Sequence, residues 1–382
     1  MGNYNRRRFL KIAGGSALGF AASASGLCLF SSDGFAKTQN TVAANDIPLW
    51  QHAVAKGLFY GAAARYENLY NDKSFSDAFL NECKFLVPEN ELKWGHLSKK
   101  PGEYDFSKAD WLFQYAKSNQ LRVRGHTLVW HDNLPKWFSE TVTNKNAEQV
   151  MIKHITTVMS RYRGQVFSWD VVNEAILPTD GQKDGFRNSP WLSLLGNRYI
   201  ELAFRTAGAV DPQALLVYND IRLEFDNSTH DKRRESVLKL LDRLISSGTP
   251  IHALGIEGHL RSEYSLSPKK LEDFLNTVKG LGLKIILTEM DINDRDLPAN
   301  ITERDNIIAG KYQEYLDVFL SNPAVIGITT WGLSDKYTWI SDHYPRYDGL
   351  PSRPLLLDDH FKRKPSWYAV AKAFDVAPKR IQ

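Results

Sequence analysis

The sequence predicts an α/β fold, a single (β/α)8 TIM barrel. Three observations carry that reading. Eight short apolar runs recur along the chain, amphipathic helical stretches lie between them, and no Pro/Ser-rich linker or low-complexity segment separates one part from another. A doubly wound open sheet is the alternative, but no Gly-rich phosphate loop follows any of the runs.

The runs fall at residues 59–64, 85–87, 123–130, 166–172, 215–218, 253–256, 284–288 and 325–331. They lack polar alternation, as expected of parallel strands covered on both faces. The stretch 110–119 places Trp111, Leu112, Tyr115 and Ala116 on one helical face, and 235–245 does so with Val237, Leu238, Leu241 and Ile245. Stretches 269–279 and 311–320 repeat the pattern, with Gly and Pro at the joints, as in Ser247-Gly248-Thr249-Pro250 and Leu281-Gly282.

Chemistry is expected where the runs end. The run Phe167-Ser-Trp-Asp-Val-Val empties into Asn173-Glu174. Alone, that dipeptide reads as a turn former beside a solvated acid. A second run, Lys284-Ile-Ile-Leu-Thr, leads into Glu289 and, two residues on and so on the same strand face, Asp291. Parallel strands deliver their C-terminal ends to one face of a barrel. Two acids arriving there suit glycoside hydrolysis, in which one carboxyl protonates the leaving oxygen while the other attacks or activates water.

The other ends add Glu89, Asn90 and Lys93 after the second run, His126 and Trp130 on the third, and Asn219-Asp220 on the fifth. Glu257 and His259 follow the sixth, and Trp331 the eighth. Singly, His126 reads as a satisfied core histidine, Lys93 as a solvated charge and Trp331 as core. Together they describe a bowl of carboxylates, amides, imidazoles and indole faces, which suits a polysaccharide better than an apolar ligand. The aromatic content of 12%, with 10 Trp, fits sugar platforms, although cores use Trp too.

The formal charge of +4 belongs to the N-terminus. Residues 1–44 hold Arg6, Arg7, Arg8, Lys11 and Lys37 against Asp33; without them the chain carries 43 residues of each sign. A neutral body gives no ground for a nucleic-acid or membrane-surface partner. Arg6-Arg7-Arg8-Phe9-Leu10-Lys11, followed by a small-residue apolar run from Ile12 to Phe30, resembles a twin-arginine export signal. Residues 1–44 are therefore expected to be a leader and 45–382 the catalytic barrel, periplasmic or extracellular and monomeric. Only Cys83 remains after the leader, so no internal disulfide is expected, and it reads as a small core residue.

Taken together, PENELKW at 88–94, RGHTLVWH at 124–131, WDVVNEA at 169–175, GHL at 258–260, LTEMDI at 287–292, WGLSDKYTW at 331–339 and RPLLLDDHFKRKPSWYAV at 353–370 resemble glycoside hydrolase family 10, the endo-β-1,4-xylanases. The match runs from Leu58 to the C-terminus. It implies a retaining hydrolase of xylan or xylo-oligosaccharides, with Glu174 as acid/base and Glu289 as nucleophile. Asn173 would bind the sugar 2-hydroxyl, His259 would stand beside the nucleophile, and Asp291 would orient His259. Glu89, Asn90, Lys93, His126 and Trp130 would grip the glycone side, and Trp331 and Trp339 would form floor and wall. No metal or other cofactor is expected.

Three positions depart from the family's pattern. Glu257 stands where Gln is usual, which puts a third acid in the bowl; it either stays neutral beside Glu289 or turns away to a salt bridge. Ile221-Arg222 replaces the usual Tyr-Asn on the leaving-group side, and Asn133 replaces Gln on the glycone side. Rival functions are a cellulase or mannanase built on the same two strands, a transglycosylase, and a non-catalytic glycan-binding barrel; the last is disfavoured because both acids are present.

Overall fold

The computed structural model describes residues 47–380; the expected leader at 1–44 lies outside them. Nine strands are present among these residues: β1 (Phe59–Ala64), β2 (Phe85–Pro88), β3 (Arg122–Gly125), β4 (Val166–Asn173), β5 (Leu215–Asp220), β6 (Ala253–Ile256), β7 (His259–Arg261), β8 (Lys284–Asn293) and β9 (Val325–Thr330). Eight pair in parallel in chain order, β6 pairs β8 past β7, and β9 returns to β1, so the sheet closes into the expected barrel. The short β7 hangs on β8 alone, with His259 opposite Asp291.

The runs lack alternation because barrel strands are buried on both faces: β1, β2 and β6 are buried at every residue. Phe59 and Phe85 stack at 4.1 Å in the barrel interior, and the Arg122 guanidinium caps Phe167 at 4.0 Å. Large rings need small neighbours in such a layer. A Cβ on Gly327 would stand 2.3 Å from the Phe59 ring, and one on Gly125 would stand 2.2 Å from the Trp169 indole.

Several expected boundaries move. The third strand stops at Gly125, not at 130. Residues 127–129 form a buried loop instead, docked on β4 by Leu128 and Val129 amides that donate to Asp170 and Val171 carbonyls. Apolar sequence therefore marks burial there, not strand. The helices expected at 235 and 311 begin earlier, at Ser228 and Ile301, because the Asn227 and Asn300 side chains cap polar first turns that carry little apolar periodicity. In the helix Ser107–Ser118 the core takes Ala109, Leu112, Phe113 and Ala116. Trp111 and Tyr115 are only partly buried; they stack at 5.1 Å beside Tyr66 and Tyr70, so the expected face is rotated.

Candidate active site

The C-terminal ends of the barrel strands surround a cavity of about 460 Å³. Of the site residues singled out from the sequence, all line it except Asn219 and Asp220, which are fully buried beneath it, and Asp291, which is bonded to two residues that do.

Asn173 is the last residue of β4, and Glu174 leaves the strand with φ of 53°. A side-chain-bearing residue in the left-handed region costs about 1–2 kcal/mol, so its surroundings must hold it there. The Glu174 amide donates to the Asn219 carbonyl at 2.9 Å, and its carbonyl accepts from Arg187 Nε at 2.7 Å. Arg187 Nη2 also reaches Glu174 Oε2 at 3.1 Å. The result is a carboxyl aimed into the bowl, with 14% of its side chain open. Burial, reinforced by Asp220 and Glu289 and opposed by Arg187 and Arg233, pushes its pKa up to about 7.

Glu289 lies on β8 and is the opposite case. Its burial also disfavours charge, but the fields of His126, His259 and Arg124 outweigh that and hold its pKa down at about 2. Asn219 Nδ2 donates to Glu289 Oε1 at 2.8 Å, and His259 Nε2 stands 3.4 Å from Oε2. His259 in turn donates from Nδ1 to Asp291 Oδ1 at 2.9 Å, and Trp339 Nε1 donates to the other Asp291 oxygen at 2.7 Å. Burial pulls the His259 pKa down, but Asp291 and Glu289 raise it well above the ordinary histidine value, which favours the imidazolium. Below, His126 Nδ1 bonds Asp170 at 2.8 Å, and Arg124 closes on the same carboxylate.

Glu257 faces the bowl and does not turn away. Its Oε1 is 3.4 Å from Asn219 Nδ2 and its Oε2 is 3.9 Å from His259 Nε2. Both protons of the Asn219 amide have shorter partners, Glu289 and, at 2.8 Å, Asn173 Oδ1. Burial, then Glu289, then Glu174 raise the Glu257 pKa well above the usual carboxyl range, which favours its protonated form. The two carboxylate-imidazole sets, His126/Asp170/Glu289 and Glu257/His259/Glu289, are tight enough for a cation. Their donors are already engaged: Arg124 and His126 occupy Asp170, and a protonated His259 has no lone pair to offer.

At the end of the bowl formed after β2, Arg65 Nε donates to Glu89 at 2.7 Å, and Lys93 Nζ donates to Asn90 Oδ1 at 3.1 Å. The Lys93 ammonium sits between two indoles, 5.4 Å from Trp130 and 5.5 Å from Trp331. Burial, partly offset by Glu89 and Glu289, lowers its pKa. Asn133 lines the same end in a left-handed conformation (φ 51°), fixed by its carbonyl, which accepts from Gly95 N at 2.7 Å.

The family profile described as glycosyl hydrolase family 10 matches residues 49–373. The chain belongs to glycosyl hydrolase family 10. Among relatives in that family, a β-1,4-xylanase of Dictyoglomus thermophilum is 34% identical over 86% of this chain and 91% of its own length. Endo-1,4-β-xylanase 1 of Humicola insolens is 33% identical over 85% of this chain and 73% of its own length. The crystal structure of xylanase 10B from Thermotoga petrophila in complex with xylobiose superposes with a TM-score of 0.79 at 31% identity, covering 86% of this chain and 98% of that one.

Within this family 10 barrel, the network contains residues the sequence did not single out. Asn219 was visible only as a strand end, yet it joins Glu289, Asn173 and, through Oδ1, the Thr288 hydroxyl at 2.7 Å. Arg187 arrives on the loop after β4, thirteen residues beyond Glu174, with no local signal. Asp170 did leave one: a carboxylate inside an apolar run is expected to have buried partners, here Arg124 and His126.

Proposed function

We propose that this chain is a retaining endo-1,4-β-xylanase acting on xylan or xylo-oligosaccharides, with Glu174 as general acid/base and Glu289 as nucleophile. The observation that carries the reading is the opposite displacement of two acids in one bowl, Glu174 up to about 7 and Glu289 down to about 2. An acid that holds its proton near neutral pH beside one that never does is the division of labour such hydrolysis requires.

In the first step a Glu289 oxygen attacks the anomeric carbon while Glu174 gives its proton to the departing glycosidic oxygen. A covalent glycosyl ester forms and the leaving fragment departs as a neutral alcohol. The negative charge of Glu289 is then spent, which removes one influence that raises the Glu174 pKa. Glu174, now ionised, takes a proton from water, whose oxygen attacks the same carbon and releases Glu289. Asn173 Oδ1 is occupied by Asn219, while its Nδ2, which has only a long 3.5 Å contact to Glu174 Oε1, can donate its other proton to a sugar hydroxyl as charge develops at the ring. His259 and Asn219 hold Glu289 in one orientation.

The substrate reading is supported by the names of the relatives and by the glycone grip of Glu89, Asn90, Lys93 and Trp130. Incubation with 2,4-dinitrophenyl 2-deoxy-2-fluoro-β-xylobioside and peptide mapping should place a xylobiosyl adduct on Glu289. Labelling by the cellobioside analogue alone would move the substrate to a glucan; no labelling by either would remove the double displacement. Export through the twin-arginine route belongs to the same proposal. It rests on Arg6 to Lys11, and N-terminal sequencing of the exported protein checks it. Among the described residues no helix is long and apolar enough to cross a membrane. Light scattering of the purified protein tests the monomer.

A further inference from the structure

Beside the catalytic bowl lies a second cavity of about 640 Å³, formed by the segments that follow β5 and β7. Its size falls within the ~300–1,000 Å³ that encloses ordinary small-molecule ligands. The two spaces share Ile221, Arg222, His259, Trp339 and Tyr344 as common wall. The family resemblance puts Ile221 and Arg222 on the leaving-group side, so on that reading a chain leaving the bowl there meets this cavity next. Tyr264 and Tyr344, both exposed, give it aromatic surface over a buried Phe225.

The charges around it do not cancel. Asp226 is bonded by Lys270, Glu263 by Arg261 at 2.6 Å, and Asp291 by His259 at 2.9 Å. His230 is neutral near pH 7, because burial first and then Arg234, Arg222 and Arg233 pull its pKa down to about 4. That leaves Arg222. It is exposed, it lines both cavities, and it makes no hydrogen bond or ion pair among the described residues. Its backbone is left-handed, with φ of 59°, and the preceding amide, Ile221 N, is pinned by Asp220 Oδ1 at 2.9 Å.

We propose that this cavity is a subsite for a uronate branch on the leaving-group side of the substrate, with the sugar carboxylate paired to Arg222. The proposal rests on the endo-xylanase reading above. A β-1,4-xylose backbone carries no charge, so an anion delivered to this place by the substrate must be a branch. A guanidinium presents a planar fork that matches a carboxylate in a way a hydroxyl does not.

The test compares glucuronoxylan with the same polymer after reduction of its carboxyl groups, which keeps the branch and removes its charge. Linear xylohexaose is run alongside. The wild-type kcat/KM should be higher on the acidic polymer by roughly fivefold, the upper range for one exposed ion pair. The preference should vanish in Arg222→Gln, survive in part in Arg222→Lys, and collapse for the wild type at ~1 M salt, where screening acts within ~3 Å. Because the readout is a ratio, any general loss of activity in a variant divides out. Equal kcat/KM on the two polymers with xylohexaose still cleaved overturns the subsite alone. Failure to cleave xylohexaose overturns the endo-xylanase reading, and the subsite with it.

Discussion

Arg187 Nη2 stands 3.1 Å from Glu174 Oε2, while Nε of the same guanidinium donates to the Glu174 main-chain carbonyl at 2.7 Å. One side chain therefore both fixes the left-handed turn and stabilises the ionised form of the acid. The acid form gains nothing from it, so Arg187 serves the second half of the reaction at the expense of the first. Removing it as Arg187→Met should raise the Glu174 pKa from about 7. The alkaline limb of kcat/KM then moves to higher pH, by about 1 unit, the low end for a carboxylate losing an arginine partner. Hydrolysis of the glycosyl ester, which needs the base, should slow, and Arg187→Lys should restore part of it. A pH profile on an unactivated xylo-oligosaccharide decides the matter; an unmoved limb would show Arg187 to be structural only.

Glu257 makes a second prediction about the same limb. Its pKa is raised, so it is neutral at low pH and ionises as pH rises. Ionised, it competes with Glu289 for His259 and Asn219, which lie 3.9 Å and 3.4 Å from its oxygens. Activity should fall as that happens. With a dinitrophenyl xylobioside, whose leaving group needs no proton, the Glu174 limb drops out and the remaining alkaline loss reports Glu257. Glu257→Gln should abolish that loss while leaving the acid side of the profile in place. Superimposable profiles for the two proteins would sink the idea.

Asn219 is expected to matter as much as residues that touch sugar. Its amide holds Glu289 and Asn173 with one end and Thr288 with the other. Asn219→Ala removes one hydrogen bond each from Glu289 Oε1, Asn173 Oδ1 and the Thr288 hydroxyl, at about 1–3 kcal/mol for each atom that water cannot reach. It also frees Asn173 to turn, so kcat should fall by about 100-fold, as when a preorganised donor to a developing charge is lost. Single-turnover kinetics should show the loss in formation of the glycosyl ester; a change confined to KM would contradict the role.

The sequence made the barrel and the two acids legible because both depend on local pattern. An apolar run that ends in a carboxylate is visible in one stretch of chain, as at Glu174 and Glu289. Where several strands must come together first, the pattern was silent. Asn219 sits opposite Asn173 across β4 and β5, but its reach to Glu289 and Thr288 on β8 follows from barrel closure, not from neighbours in the chain. Arg187 depends on how the loop after β4 folds back. The misplaced end of β3 has another cause: Leu128 and Val129 are as buried as strand residues, at 1% exposure each, so burial alone could not tell loop from strand.

Glu82 carries the last prediction, far from the bowl. It ends the helix Lys73–Glu82 and is 3% exposed. Its Oε2 accepts from Leu49 N and from Trp367 Nε1, both at 3.0 Å, and its Oε1 accepts from Arg363 Nε at 2.9 Å and Nη2 at 2.7 Å. One carboxylate thus joins the first described helix, Leu49–Ala55, to the last, Pro365–Val376, and to the segment that precedes it. Glu82→Gln keeps the volume but removes the charge and turns an amide N–H toward groups that are all donors. Breaking a buried pair from one side costs about 3–5 kcal/mol, and the partly exposed Arg363 places this case near ~3 kcal/mol. Scanning calorimetry should record a melting point lower by several degrees. Activity at room temperature should hold, because no atom of the bowl depends on this contact. An unchanged melting point would mean that the two ends of the chain are held by their apolar packing, around Trp367 and Leu49, and not by the carboxylate between them.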